Sequence, residues 1–381
     1  LSVVALARVE KTLAGLERKS RFRSVALGSG IDFASNDYLG LASSPRLKTA
    51  INTAIKRGVP VGAGGSRLLR GHHIEHEMLE NEAAQFFGAE RVLYFANGYA
   101  ANSALFSTLP QREDLIVYDA LIHASALEGI LASKATATAV PHNDVDACEL
   151  AVRKWRRQGG KGVPWIGVES LYSMDGDKAP LVGLAEIAER HDGFLVIDEA
   201  HATGVFGKDG RGLAADLPTR NNILTLHTCG KALGASGALL GGPAIIINYL
   251  VNRARNFIYS TAPSPLMAAA VREALHILAD EPERRDHLER LMAHAGDRLQ
   301  LQLAKTPSGS QILPVLIGDN GRAVSIARRM QAEGFDVRAI RPPTVPEGTA
   351  RLRVSVTLNV DEEKISAMFE RLSLALMEST P

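Results

Sequence analysis

The chain has 381 residues, with 43 lysines and arginines against 42 aspartates and glutamates, a formal charge of +1. Hydrophobic residues make up 46% and charged residues 22%, which excludes a disordered chain, a collagen-like one and a strongly basic nucleic-acid binder. At ~150 residues per domain the length suggests two or three structural units. The only two cysteines, Cys148 and Cys229, are too few for a disulfide scaffold or a cysteine-rich zinc site and read as buried thiols of a cytoplasmic protein.

In chain order, Leu6, Val9, Leu13 and Leu16 recur at helical spacing and predict an amphipathic helix. Glu10 and Glu17, set among basic residues and leucines, fit neither a transit peptide nor a signal peptide. Five short apolar runs follow, each ending abruptly in polar residues. Residues 91–95 run into Asn97, Gly98 and Tyr99, and 115–118 into Asp119 and His123. Residues 165–169 lead to Ser173, 194–198 to His201, and 223–227 to Thr228 and Lys231. Helical stretches at 100–109, 125–132 and 184–190 separate several of them. Fully apolar strands alternating with helices predict a parallel sheet covered on both faces. Ligands of such sheets bind beyond the carboxyl ends of the strands, so the polar clusters are expected to converge on one site.

Residues 233–251 carry no charge, but Gly237, Gly241, Gly242 and Pro243 interrupt them. They are read as buried strands plus a turn, not a membrane span. The stretch 280–303, rich in Glu, Arg and Leu, predicts a solvated helix bridging to a smaller α+β unit. There 312–317, 335–340 and 351–356 read as strands, and 323–331 and 362–377 as amphipathic helices, the last capped by Asp361. The expected organisation is an N-terminal helix and segment at 1–45, a large α/β domain at 46–284 and a small α+β domain at 285–381.

Lys231 is the only Lys, Arg, Asp or Glu between Arg220 and Arg253. Apolar, glycine-dense surroundings favour a neutral amine of the kind that Schiff-base and proton-transfer chemistry require. The same window also fits a lysine with a buried stem and a solvated tip. Asp198 ends the run 194–197; alone it reads as a turn cap. A buried lysine with a buried carboxylate has a second reading. Pyridoxal phosphate needs a lysine to hold its aldehyde and a carboxylate to keep its pyridine nitrogen protonated. Asn97, Gly98 and Tyr99 lie between a strand and a helix start, either a plain turn or an anion cradle. His123 reads as a core histidine or as an imidazole lying on a cofactor ring. Gly62–Ser66 is not followed by Gly-Lys-Ser/Thr, and it lacks the strand–helix setting of a dinucleotide binder. His72, His73 and His76 lack the zinc-protease pattern and any further ligand, so a helix start and no metal are expected.

Taken together these residues resemble the α-oxoamine synthases, pyridoxal-phosphate enzymes of fold type I, the aspartate-aminotransferase fold. The likeness runs from Phe33–Gly40 to Arg341–Pro346, through 64–67, 142–144, 173–176, 198–204 and the Lys231 segment. It implies an α/β fold: a large domain with a mostly parallel seven-stranded sheet and a small C-terminal α+β domain. Segments 64–67 and 341–344 are similar to the members that condense L-alanine with pimeloyl-CoA, or a carrier-bound pimeloyl thioester, with loss of carbon dioxide, in biotin biosynthesis. The alternatives are a glycine-using 2-amino-3-oxobutyrate CoA ligase and, from another class, a non-catalytic binder of the same cofactor. The resemblance implies that Lys231 holds the aldehyde of pyridoxal 5'-phosphate and moves the alanine Cα proton. Asp198 would pair with the pyridine nitrogen, His123 would stack on the ring, and His201 and Ser173 would lie near the ring hydroxyl. Gly98, Tyr99 and Thr228 would hold the phosphate, with Ser260 and Thr261 from a second subunit of a homodimer. Asn36 and Arg341 would grip the amino-acid carboxylate, a task suited to a guanidinium. Thr344 would lie near the acyl group, and Arg21, in competition with Arg18 and Arg23, would contact substrate. Neither nucleic acid nor a membrane is an expected partner.

Overall fold

The computed structural model of the chain describes residues 3–217 and 221–378. Contacts divide it into two units. The larger holds Leu39–Ser173 and Lys178–Asp286; the smaller holds the chain up to Tyr38, Met174–Asp177 and everything from His287 onward. The expected segment 1–45 therefore does not stand apart. Its strand Ile31–Asp32 pairs in parallel with Phe335–Asp336 in the smaller unit, whereas Leu41, fully buried, backs onto Gly234 in the larger.

The larger unit carries a seven-stranded sheet. In spatial order its strands are Arg91–Phe95, Ala238–Gly242, Ile223–Thr228, Phe194–Asp198, Pro164–Glu169, Leu115–Asp119 and Thr136–Val140. Ala238–Gly242 is antiparallel to both neighbours, and the other pairs are parallel. Period-two alternation divides the strand residues between two cores. Ile116, Trp165, Val196 and Leu224 pack with Leu105, Phe106 and Ile130, while Val117, Ile166, Leu195 and Ile197 pack with Val152, Leu184 and Ile187. Both faces are thus covered by helices, which is why these strands read as unbroken apolar runs.

Two expectations need correction, and one strand went unread. Residues 233–251 hold one strand, Ala238–Gly242, and then, after Pro243, the helix Ala244–Arg253. The isoleucines at 245–247 favour a strand by propensity, but Ile247 and Leu250 supply one buried stripe and the helix packs on that. The stretch 280–303 holds the expected helix, Glu283–Leu303, but not a wholly solvated one. Pro265–Asp280 ends before Pro282, and Glu283–Leu303 follows, burying Leu288, Leu291, Ala295 and Leu299 rather than lying in solvent. Thr136–Val140 went unread because it is an edge strand with only Val140 buried, so no apolar run marks it. Among the described residues no helix is long and apolar enough to cross a membrane.

In the smaller unit Ala350–Ser355 lies antiparallel between Arg338–Ile340 and Ile312–Gly318. The helices Asn320–Ala332 and Glu362–Glu378 complete it. Asp319 and, as expected, Asp361 cap them by accepting the N–H groups of Arg322 at 2.8 Å and Lys364 at 2.9 Å.

Gly237 sets the exit of the loop that follows Ile223–Thr228. Its φ is +115°, and a Cβ there would lie 2.2 Å from the ring of Tyr94, a fully buried side chain. Gly237→Ala is expected to cost about 3 kcal/mol, from backbone strain and overpacking together. Urea unfolding measures this; an unchanged midpoint would show that the ring yields freely.

Candidate active site

Lys231 stands in the loop between the strands Ile223–Thr228 and Ala238–Gly242. The loop is tied by its own backbone: Cys229 N–H donates to Gly237 O at 2.9 Å, Ala235 N–H to Cys229 O at 2.8 Å, and Gly234 N–H to Lys231 O at 2.9 Å. Gly234 is left-handed, φ +61°, and a Cβ would meet Ala42 N at 2.4 Å, so only glycine closes the turn. The Lys231 Nζ lies 2.8 Å from His201 Nε2. Cys229 is fully buried, and burial pushes its thiol well above the usual range, so it is no competing nucleophile.

Asp198 ends its strand 7% exposed. Asn102 Nδ2 donates to its Oδ2 at 2.7 Å and Ala200 N–H to its Oδ1 at 2.9 Å. The parallel register sets Glu169 directly beside it. Ser173 N–H donates to Glu169 Oε2 at 3.1 Å, while the buried Oε1 has no partner among the described residues. Burial first, and then the charge of Asp198, push the Glu169 carboxyl up to about 8, against an opposing pull from Lys231. Glu199 is likewise pushed up by burial, to about 7, although Ser170 Oγ and the N–H groups of Leu213 and Ala214 donate to it.

His123 caps the helix Ala124–Ala132. Partial desolvation lowers its pKa; Asp198 pulls it up and Lys231 pushes it further down. Gly98 begins the helix Gly98–Thr108, whose cap Asn97 accepts Ala100 N–H at 2.8 Å. A Cβ on Gly98 would lie 2.6 Å from Thr228 Cγ2, so the missing side chain lets this helix start approach Thr228. The Tyr99 hydroxyl donates to Glu128 Oε2. Ser260 and Thr261 are exposed, and Thr261 forms an isolated bridge with Ser66.

The smaller unit holds the other expected substrate residues. Asn36 Oδ1 accepts from Arg353 Nη2 at 3.0 Å and from the Tyr38 hydroxyl at 3.0 Å, and Arg353 Nη1 donates to Ser355 Oγ at 2.7 Å. Arg341 does not join Asn36; its Nη1 donates to Ser20 O at 2.7 Å. Arg21 pairs with Glu347, and Arg23 Nη2 reaches Thr344 Oγ1 at 3.5 Å.

Within the larger unit the structure therefore joins Lys231 to His201, Asp198 to Asn102, Glu169 to Ser173 and Gly98 to Thr228. Sequence reasoning missed Asn102, Ser125, Glu169 and Arg353. Arg353 had a legible signal, since Arg351 and Arg353 alternate with the apolar Ala350, Leu352 and Val354 in one strand. His73 and His76 cap the helix Ile74–Phe87, and no metal-binding cluster occurs among the described residues. The set fits a flat anionic aldehyde such as pyridoxal phosphate. The lysine amine would take the aldehyde, the buried Glu169 Oε1 would meet a polar group of the ring, and Gly98, which leaves room at a helix N-terminus, would admit the anion.

Residues 29–372 match the family described as aminotransferase class I and II. The chain belongs to that family, an enzyme family whose cofactor is pyridoxal 5'-phosphate. Within it the similarity is to the 8-amino-7-oxononanoate synthases. The chain is 42% identical to the one from Azoarcus sp. (strain BH72), across 85% of this chain and 83% of that one. It is 43% identical to the one from Aromatoleum aromaticum, again across 85% and 83%. The solved 8-amino-7-oxononanoate synthase of Francisella tularensis is 28% identical, with a TM-score of 0.76 over 92% of this chain and 98% of that one. The serine palmitoyltransferase of S. paucimobilis shares the fold, with a TM-score of 0.90 at 22% identity over 100% and 99% of the two chains.

A Glu169 carboxyl raised from the ordinary 4.5 to about 8 makes the folded chain bind one more proton than the unfolded chain between those values. The associated stability is full below about pH 4.5 and is lost as pH rises towards about 8. Glu169→Gln removes that slope. Between about pH 5 and 8 the urea midpoint of the wild type should fall more than that of the variant; equal falls would show that Glu169 ionises normally.

Proposed function

We propose that the protein joins L-alanine to the pimeloyl group of a thioester, releasing the thiol and carbon dioxide and forming 8-amino-7-oxononanoate for biotin biosynthesis. The observation that carries this reading is the Lys231 amine 2.8 Å from His201, at strand ends that also carry Asp198 and Glu169, in a chain 42% identical to an 8-amino-7-oxononanoate synthase. When bound, pyridoxal phosphate supplies an electron sink for the carbanion at the amino-acid Cα.

The chain's own residues do the rest. Lys231 moves the proton at the alanine Cα, and His201 orients its Nζ. Asp198, steadied by Asn102 and Ala200, provides the negative charge for the ring nitrogen. Glu169 and Ser173 serve the polar edge of the ring together with His201, and His123 lies on its face. Gly98, Tyr99 and Thr228 receive the phosphate, with Ser260 and Thr261 supplied by the second copy in a homodimer. Asn36 with Arg353 grips the amino-acid carboxylate; Arg353 takes the place first given to Arg341 because Arg353 is the guanidinium that Asn36 touches. The acyl group runs by Thr344, where Arg23 is the neighbouring arginine and Arg21 is engaged by Glu347. CoA or a carrier protein brings the acyl group, and the enzyme works in the cytoplasm.

Thiol release tests the substrate pair. Alanine with pimeloyl-CoA is expected to liberate thiol at least about tenfold faster than glycine with acetyl-CoA, a difference of about 1.4 kcal/mol in transition-state binding. The reverse preference would assign the protein to the glycine-using relatives.

A further inference from the structure

The hydrogen bonds beside His123 have a direction. Asn102 is 2% exposed, and its Nδ2 lies 2.7 Å from Asp198 Oδ2 and 3.0 Å from Ser125 Oγ. An amide nitrogen only donates and a carboxylate only accepts, so Asp198 fixes which way the Asn102 amide points. Ser125 Oγ, 1% exposed as a residue, therefore accepts from Asn102 and has its own proton left to give. The acceptor within reach is His123 Nδ1, 2.7 Å away. The Ser125 backbone N–H, which cannot reverse, points at the same atom from 3.2 Å. Two donors thus converge on Nδ1, one set by Asp198 through Asn102 and one set by the backbone.

We propose that Asn102 and Ser125 are positioning residues that hold His123 as the neutral tautomer protonated at Nε2, taking their direction from the Asp198 carboxylate. A proton on Nδ1 would meet the Ser125 N–H head-on and would force the hydroxyl to turn away from the ring. Of the charged groups acting on the ring, Asp198 favours a second proton, whereas Lys231 and partial desolvation oppose it, and the opposing pair wins. One consequence rests on the function proposed above. A neutral imidazole can lie against the cationic pyridinium that Asp198 favours, while an imidazolium would be repelled by it and by Lys231. The same carboxylate then serves twice, once for the ring nitrogen and once, through Asn102 and Ser125, for the imidazole on the ring face.

The test is long-range 1H–15N correlation on the full-length, cofactor-loaded protein labelled with 15N-histidine, with His123→Gln to assign the signals. The wild type should show an unprotonated Nδ1 and a protonated Nε2 between about pH 6 and 8. Ser125→Ala removes one donor, so an Nδ1–H population should appear and the titration midpoint should rise by about one pH unit. Ser125→Thr, which keeps a hydroxyl, should restore both. Asn102→Ala should act in the same direction as Ser125→Ala, and if it fails to fold the two Ser125 variants still decide the matter. An Nδ1–H tautomer in the wild type would overturn the proposal, as would Ser125→Ala signals identical to wild type or a Thr variant that does not restore them. The tautomer does not depend on which thioester is consumed, so a failed thiol-release experiment leaves this test standing.

Discussion

A carboxylate taken out of water must be given donors, and the site is organised around how Asp198 is given its own. The strand Phe194–Asp198 is apolar up to its last residue, so the fold that buries Leu195–Ile197 carries the acid inward with them. Asn102 on the helix Gly98–Thr108 and the Ala200 N–H meet its two oxygens. Leaving a buried charge without such partners costs several kcal/mol. The position of the helix Gly98–Thr108 and the turn after Asp198 are both bound to that one side chain, and His123 is reached from it in two further steps.

The neighbouring acid behaves differently although it stands in register with Asp198. Glu169 has one oxygen on the Ser173 N–H and one without a partner, and it remains a neutral acid through most of the physiological pH range. Two adjacent strand ends therefore present one acid with a full set of donors and one that holds its proton. Burial and the charge of the Asp198 beside it keep the Glu169 carboxyl raised, while Asn102 and Ala200 supply Asp198 with donors.

Much of this was legible in the sequence. Five sheet strands were visible because a parallel sheet covered on both faces must be apolar throughout, and their polar endings marked Lys231, Asp198, His123, His201 and Thr228 directly. The rest was hidden for physical reasons. Thr136–Val140 is an exposed edge, and Ala244–Arg253 is a helix built from strand-favouring isoleucines. Asn102 and Ser125 look like any small polar residues within a helix; only the fold shows that both are buried and which donor faces which acceptor. Arg341 stands out because it opens a distinctive motif, whereas Arg353 lies within a strand and only the fold sets it on the carboxamide of Asn36.

The central claim is that Lys231 is the amine that takes the cofactor's aldehyde. Borohydride reduction of the yellow holoenzyme, followed by proteolysis and mass spectrometry, reads this out directly. The account predicts a single phosphopyridoxyl group, on the peptide containing Lys231; the group found on any other lysine would contradict it.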